Sequence, residues 1–168
     1  MFLCKGKSCH ILKIMFLCTG NSCRSQMAEG FARVMGKELI EPYSAGLSPQ
    51  GVNEKAVQVM KEIGIDISHQ KSKSIDMELL KQMHVVITLC DNAAKSCPYI
   101  PPEITSLHWP LDDPAKAVGT EEEVLNEFRR VRDEIKRKIV TLVEYIADSA
   151  EKRSDHPICP SVFRHLYS

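Results

Sequence analysis

The stretch ILKIMFLCTGNSCRSQMAEG, residues 11–30, decides the fold. Its first half, ILKIMFL, is short and nearly all apolar and stops at Thr19-Gly20-Asn21. A strand buried on both faces of a parallel sheet reads this way. Its second half changes to helical spacing through Met27, Phe31, Val34 and Met35, and Gly36 supplies a natural stop. Strand, tight polar loop and helix are therefore contiguous. Between them lie Cys18 and Arg24, separated by five residues.

Further along, IEPYSAG (40–46), HVVITLC (84–90) and TSLHW (105–109) read as strands two to four. NEKAVQVMKEIG (53–64), with Asn53 as N-cap, and IDMELLKQM (75–83) read as helices. Val124, Phe128, Val131, Ile135, Ile139, Leu142 and Ile146 recur at three and four residues, the stripe of a long closing helix. Alternating strands and helices predict an α/β fold: one doubly wound domain with a four-stranded parallel sheet and helices on both faces. The expected domain spans 12–147, with an extension at 1–11 and a polar, loosely ordered tail at 148–168 in which Cys159 is a spare thiol. Ligands of such sheets bind at the carboxyl ends of the strands. CTGNSCRS, LCDNAAKSCP and LDDPA each follow a strand, so they should meet on one rim.

The composition narrows the function. Of 168 residues, 22 are Lys or Arg and 22 are Asp or Glu, with no long run of one sign, which argues against a nucleic-acid or anionic-membrane surface. Seven unevenly spaced cysteines fit reduced, chemically active thiols in a reducing cytoplasm better than a disulfide framework. The apolar start is not expected to be an export signal, since Lys13 interrupts it and bulky Phe16 and Leu17 stand where a cleavage site needs small residues. No membrane partner is expected.

A Cys-x5-Arg loop between strand and helix suits a tetrahedral oxyanion. Successive N–H groups curl round the anion, the helix N-terminus adds positive potential, and arginine binds two oxygens with its planar fork. The same field favours a thiolate nucleophile. Residues 1–10, MFLCKGKSCH, nearly repeat residues 15–24, MFLCTGNSCR, and raise the question of which copy works. The second has a strand before it, Gly20 for close approach of the backbone, and a helix after it. In the first, His10 stands at the arginine position and a strand follows, so Cys18 is the nucleophile. Cys4, Cys9 and His10 have the look of a metal clip, but unstructured terminal thiols are preferred, and no metal site is assigned. The oxyanion cradle is read as Thr19, Gly20, Asn21, Ser22, Cys23, Arg24 and Ser25. Cys23 would contribute its main chain while its side chain packs; Ser25 would either hydrogen-bond the Cys18 sulfur or cap the helix.

Through CTGNSCRSQMAEG, YSAG, GVNEKAVQVMKEIGIDIS, VVITLCDNAAKSCPYIPP, HWPLDDPA and FRRVRDEIK the chain resembles the low-molecular-weight protein tyrosine phosphatase family, and more closely its thioredoxin-coupled arsenate reductase branch. The resemblance covers roughly residues 12–140. It implies a four-stranded parallel sheet, Cys18 as the nucleophile attacking arsenate, Arg24 clamping the oxygens, and Asp113, just before Pro114, as general acid. It also implies a relay: Cys90 attacks the Cys18–arsenic adduct and releases arsenite, Cys97 takes over Cys90, and thioredoxin reduces the Cys90–Cys97 pair. The tyrosines that phosphatases of this fold carry after Asp-Pro are replaced here by AKAVG. Some reductases of the family hold potassium near residues resembling Asn21, Glu29 and Ser44 plus an aspartate whose counterpart is Lys73, and this departure argues against a cation. No tightly bound cofactor is expected.

Two alternatives stand beside the reductase. One is a phosphatase, since phosphate and arsenate share shape and charge; the other is a non-enzymatic oxyanion or redox sensor. Spacing adds one expectation. Seven residues of helix between Cys90 and Cys97 span about 10 Å. A disulfide needs Cα atoms within about 7 Å, so the segment must unwind to oxidise.

Overall fold

The computed structural model describes residues 11–152, so the readings for Cys4, Cys9, His10 and Cys159 lie outside the described residues. Strands β1 (Leu12–Cys18), β2 (Ile40–Gly46), β3 (Val85–Thr88) and β4 (Thr105–His108) form a parallel sheet in the order β2-β1-β3-β4. The helices are α1 (Arg24–Met35), α2 (Glu54–Lys61), α3 (Met77–Leu80), α4 (Asp91–Ser96) and α5 (Glu121–Lys152), with a 3-10 turn at Pro114–Lys116.

Every β1 residue except Lys13 is buried, and so are all four of β3. Side chains alternate between sheet faces, so burial of consecutive residues means that both faces are covered. That is why these strands carry apolar runs rather than an alternating pattern. α1 packs along α5, which also covers α2. The stripe from Phe128 to Ile146 supplies the buried face, and all six of its named residues are at most 1% exposed. Asn53 caps α2 by accepting from Lys55 and Ala56 N–H, and Asp76 caps α3 in the same way.

β1 connects through α1 to β2 on one side, whereas β3 connects through α4 to β4 on the other. Chains leaving neighbouring strands in opposite directions open a crevice at their carboxyl ends. Leu17 pairs with Thr88, so Cys18 closes β1 beside the turn that carries Cys90 out of β3. The sheet order alone therefore brings these two thiols to one place.

Two details differ from expectation. Val34 is 58% exposed although it shares the Met27–Phe31 face, because α1 is buried from Arg24 to Ala32 and emerges in its last turn. The closing helix passes the expected boundary at 147 and continues through Lys152. Residues 147–152 contain neither Pro nor Gly; the apolar stripe stops there because the helix has run past the core, while the backbone has no reason to stop. No described helix is long and apolar enough to cross a membrane.

Candidate active site

Cys18 is 2% exposed and its Sγ lies 2.9 Å from Ser25 Oγ. Asn21 Nδ2 donates to the same hydroxyl at 2.8 Å, which leaves the serine proton to point at sulfur. Ser25 thus faces the Cys18 sulfur and is not the helix cap, a position held by Cys23 without a side-chain bond. The Cys18, Thr19, Gly20 and Ser22 carbonyls accept from the N–H groups of Leu47, Ser48, Gln50 and Asn53. With its carbonyls turned outward, the loop presents N–H groups to the other side, as an anion requires.

Asn21 makes the bend. Its φ is 44°, and its side chain is fully buried, accepting from Lys73 N–H at 2.8 Å while donating to Ser25. A Cβ at Gly46 would sit 2.7 Å from the Asn21 nitrogen and 2.9 Å from the Thr19 carbonyl oxygen. Gly46 is therefore the position where only glycine lets β2 pass under the loop. At Gly20 the nearest atoms a Cβ would meet belong to the Gln50 side chain, at 3.4 Å.

Cys18, Thr19, Gly20, Ser22, Cys23 and Arg24 line one open cleft with Cys90 and Asp113, so most of the expected site converges. Asn21 and Ser25 lie behind the loop, and Cys97 is half-buried outside that lining. Arg24, 7% exposed, donates to the Leu111 carbonyl at 3.1 Å and pairs with Asp113 at 3.3 Å. Asp113 also caps the 3-10 turn by accepting from Ala115 N–H at 3.1 Å. The aspartate loop is thereby tied to the cradle's arginine. Burial pushes the Cys23 thiol up to about 12, which keeps it protonated at neutral pH and fits a packing role.

Cys90 Sγ accepts from Ala93 N–H at 3.3 Å and lies 3.4 Å from Thr19 Oγ1. Asn92 Nδ2 donates to that hydroxyl at 3.2 Å, so the threonine proton is free to face sulfur. Asn92, Gly46 and Leu111 did not stand out in the sequence; Leu111 acts through its carbonyl, which leaves no residue-type signal. Burial raises the Cys97 thiol as well.

Behind the cradle, Glu29 accepts from Arg33 at 2.7 Å and from Ser44 Oγ, and Lys73 Nζ stands 4.0 Å from it. Two cations already serve this buried carboxylate, and the Asn21 side-chain oxygen Oδ1 accepts from Lys73 N–H. The set does not fit an added monovalent ion, which would face an ammonium at the same carboxylate. Among the described residues there is no cluster of three or more metal-ligating side chains.

Residues 13–153 match the family described as low molecular weight phosphotyrosine protein phosphatase. An arsenate reductase of Halalkalibacterium halodurans is 56% identical over 85% of this chain and 93% of its own, and one of Bacillus subtilis is 52% identical over the same shares. A solved arsenate reductase in the phosphate-binding state superposes with TM-score 0.66 at 38% identity, covering 81% of this chain and 99% of its own. The chain belongs to the low-molecular-weight phosphotyrosine protein phosphatase family, within its arsenate reductases.

Proposed function

We propose that this arsenate reductase works through a relay of Cys18, Cys90 and Cys97, with thioredoxin in a reducing cytoplasm as electron donor. The observation that carries the reading is the second thiol at the cradle's mouth, 3.4 Å from a side chain of the anion loop and ready to follow Cys18. Arsenate lies against the N–H face of the loop with Arg24 on its oxygens, as the relative in its phosphate-binding state suggests for a tetrahedral anion. Cys18 thiolate attacks arsenic; an S–As bond forms, an As–O bond breaks, and Asp113 protonates the departing oxygen, which leaves as water.

Cys90 thiolate then attacks Cys18 Sγ. The S–S bond forms as the S–As pair passes to arsenic, reducing As(V) to As(III), and arsenite leaves. Cys97 thiolate attacks Cys90 Sγ and frees Cys18, and a thioredoxin dithiol reduces Cys90–Cys97 while becoming a disulfide itself. The described cleft lining holds no aromatic side chain that could stack on phosphotyrosine, which favours the small inorganic oxyanion over that substrate.

The Lys73 ammonium takes the place of a cation behind the cradle. Exchanging potassium for sodium is expected to change turnover by less than about twofold; marked stimulation by potassium would contradict this. The relay is tested by mixing reduced protein with arsenate alone and mapping disulfides by mass spectrometry. Wild type should end as Cys90–Cys97, Cys97→Ser as Cys18–Cys90, and Cys90→Ser with no arsenite released. Stoichiometric arsenite from Cys90→Ser would refute it.

A further inference from the structure

The turn that holds Cys90 is spanned by one imidazole. His108, the last residue of β4, lies opposite Thr88, the last residue of β3, in the sheet register. Its Nδ1 lies 2.8 Å from Thr88 Oγ1, and its Nε2 lies 3.0 Å from Asp91 Oδ1. A carboxylate oxygen only accepts, so Nε2 carries the proton and donates to Asp91, with the Thr88 hydroxyl as the partner of Nδ1. Thr88 is 4% exposed and fixed in the sheet, with its Oγ1 also 3.3 Å from the Leu107 carbonyl.

The ring thus joins the residue two before Cys90 to the residue one after it. Thr88 anchors one end in the rigid sheet, and Asp91 is the first residue of α4. With Cys90 Sγ facing Thr19 across the cleft, any rotation of the 88–91 turn moves the sulfur directly. A displacement nucleophile must approach in line with the bond it breaks, and a shift of about 1 Å costs up to a hundredfold in rate. Asp91 is exposed, so the bridge contributes little to global stability; its effect is expected in placement.

We propose that His108 is a positioning residue for the second step, bracing the Cys90 turn from Thr88 to Asp91 so that the Cys90 sulfur meets the Cys18–arsenic adduct. This rests on the relay described above. It assigns positioning roles, exerted through the Cys90 turn, to Thr88, His108 and Asp91.

The test is arsenite release in a single turnover by reduced protein and excess arsenate, with Cys18 alkylation by iodoacetate as a report on the cradle. His108→Ala, Asp91→Ala and Thr88→Val should slow arsenite release about five- to tenfold while Cys18 alkylates at the wild-type rate. Asp91→Asn, which keeps an accepting oxygen for Nε2–H, should recover most of the rate. Unchanged release in His108→Ala and Asp91→Ala would overturn the brace, as would equal loss in Asp91→Asn and Asp91→Ala, or a parallel fall in Cys18 alkylation. Cys90→Ser, run beside them, separates the two levels. Wild-type release by Cys90→Ser would overturn the relay and the brace together, whereas no release by it with normal release by His108→Ala would overturn the brace alone.

Discussion

Cys18 and Cys23 stand five residues apart in one loop, and their surroundings divide the work between them. Both are buried at the cleft; the Cys18 sulfur lies against the Ser25 hydroxyl, whereas the Cys23 thiol is held up to about 12 by burial. In the unfolded chain that thiol ionises near 9.0. The folded state holds its proton more tightly, so the associated stability is fully present below about pH 9 and is lost as pH rises toward 12, by about 1.4 kcal/mol per unit. Cys23→Ala should therefore lose stability less steeply than wild type in urea titrations between pH 9 and 10.5. Parallel slopes would contradict the burial argument. The same scale shows where sequence reading reached its limit: Cys18, Arg24 and Ser25 could be read from loop chemistry. Gly46 could not, because its constraint comes from a loop 25 residues earlier in the chain that folds onto it.

At the scale of elements, α4 is pinned at one end. Asp91 and Asn92 are tied to His108 and Thr19, and Cys90 Sγ accepts from Ala93 N–H, whereas its last turn leads to a half-buried Cys97 in extended backbone. A six-residue helix has little cooperativity of its own, so opening from the Cys97 end costs little. Forming Cys90–Cys97 must unwind it. Amide exchange at 91–96 is therefore expected to be faster in the oxidised than in the reduced protein, with α5 as unchanged internal reference; equal protection in both states would contradict the unwinding. The strands and long helices were legible because burial on both faces, or on one stripe, writes a periodicity into the chain. The end of α5 was not, because beyond Ile146 the helix continues without a core to mark it.

At the scale of the whole molecule, the sheet order explains why one cleft gathers residues from distant segments. Crossovers leaving β1 and β3 in opposite directions bring Cys18 and Cys90 together, and the loop after β4 adds Asp113 against Arg24. The convergence of three post-strand segments on one rim was foreseeable from strand–helix alternation alone. The bridge through His108 was not, since it depends on the register that sets Thr88 opposite it.

The central claim, that electrons pass from thioredoxin through Cys97 and Cys90 to arsenic at Cys18, is tested most directly by NADPH consumption. The assay couples this protein and arsenate to thioredoxin and thioredoxin reductase, in wild type, Cys90→Ser and Cys97→Ser. The relay predicts sustained turnover in wild type and at most one event in either variant. Sustained turnover in either variant, or none in wild type alongside Cys18-dependent hydrolysis of an aryl phosphate, would contradict it.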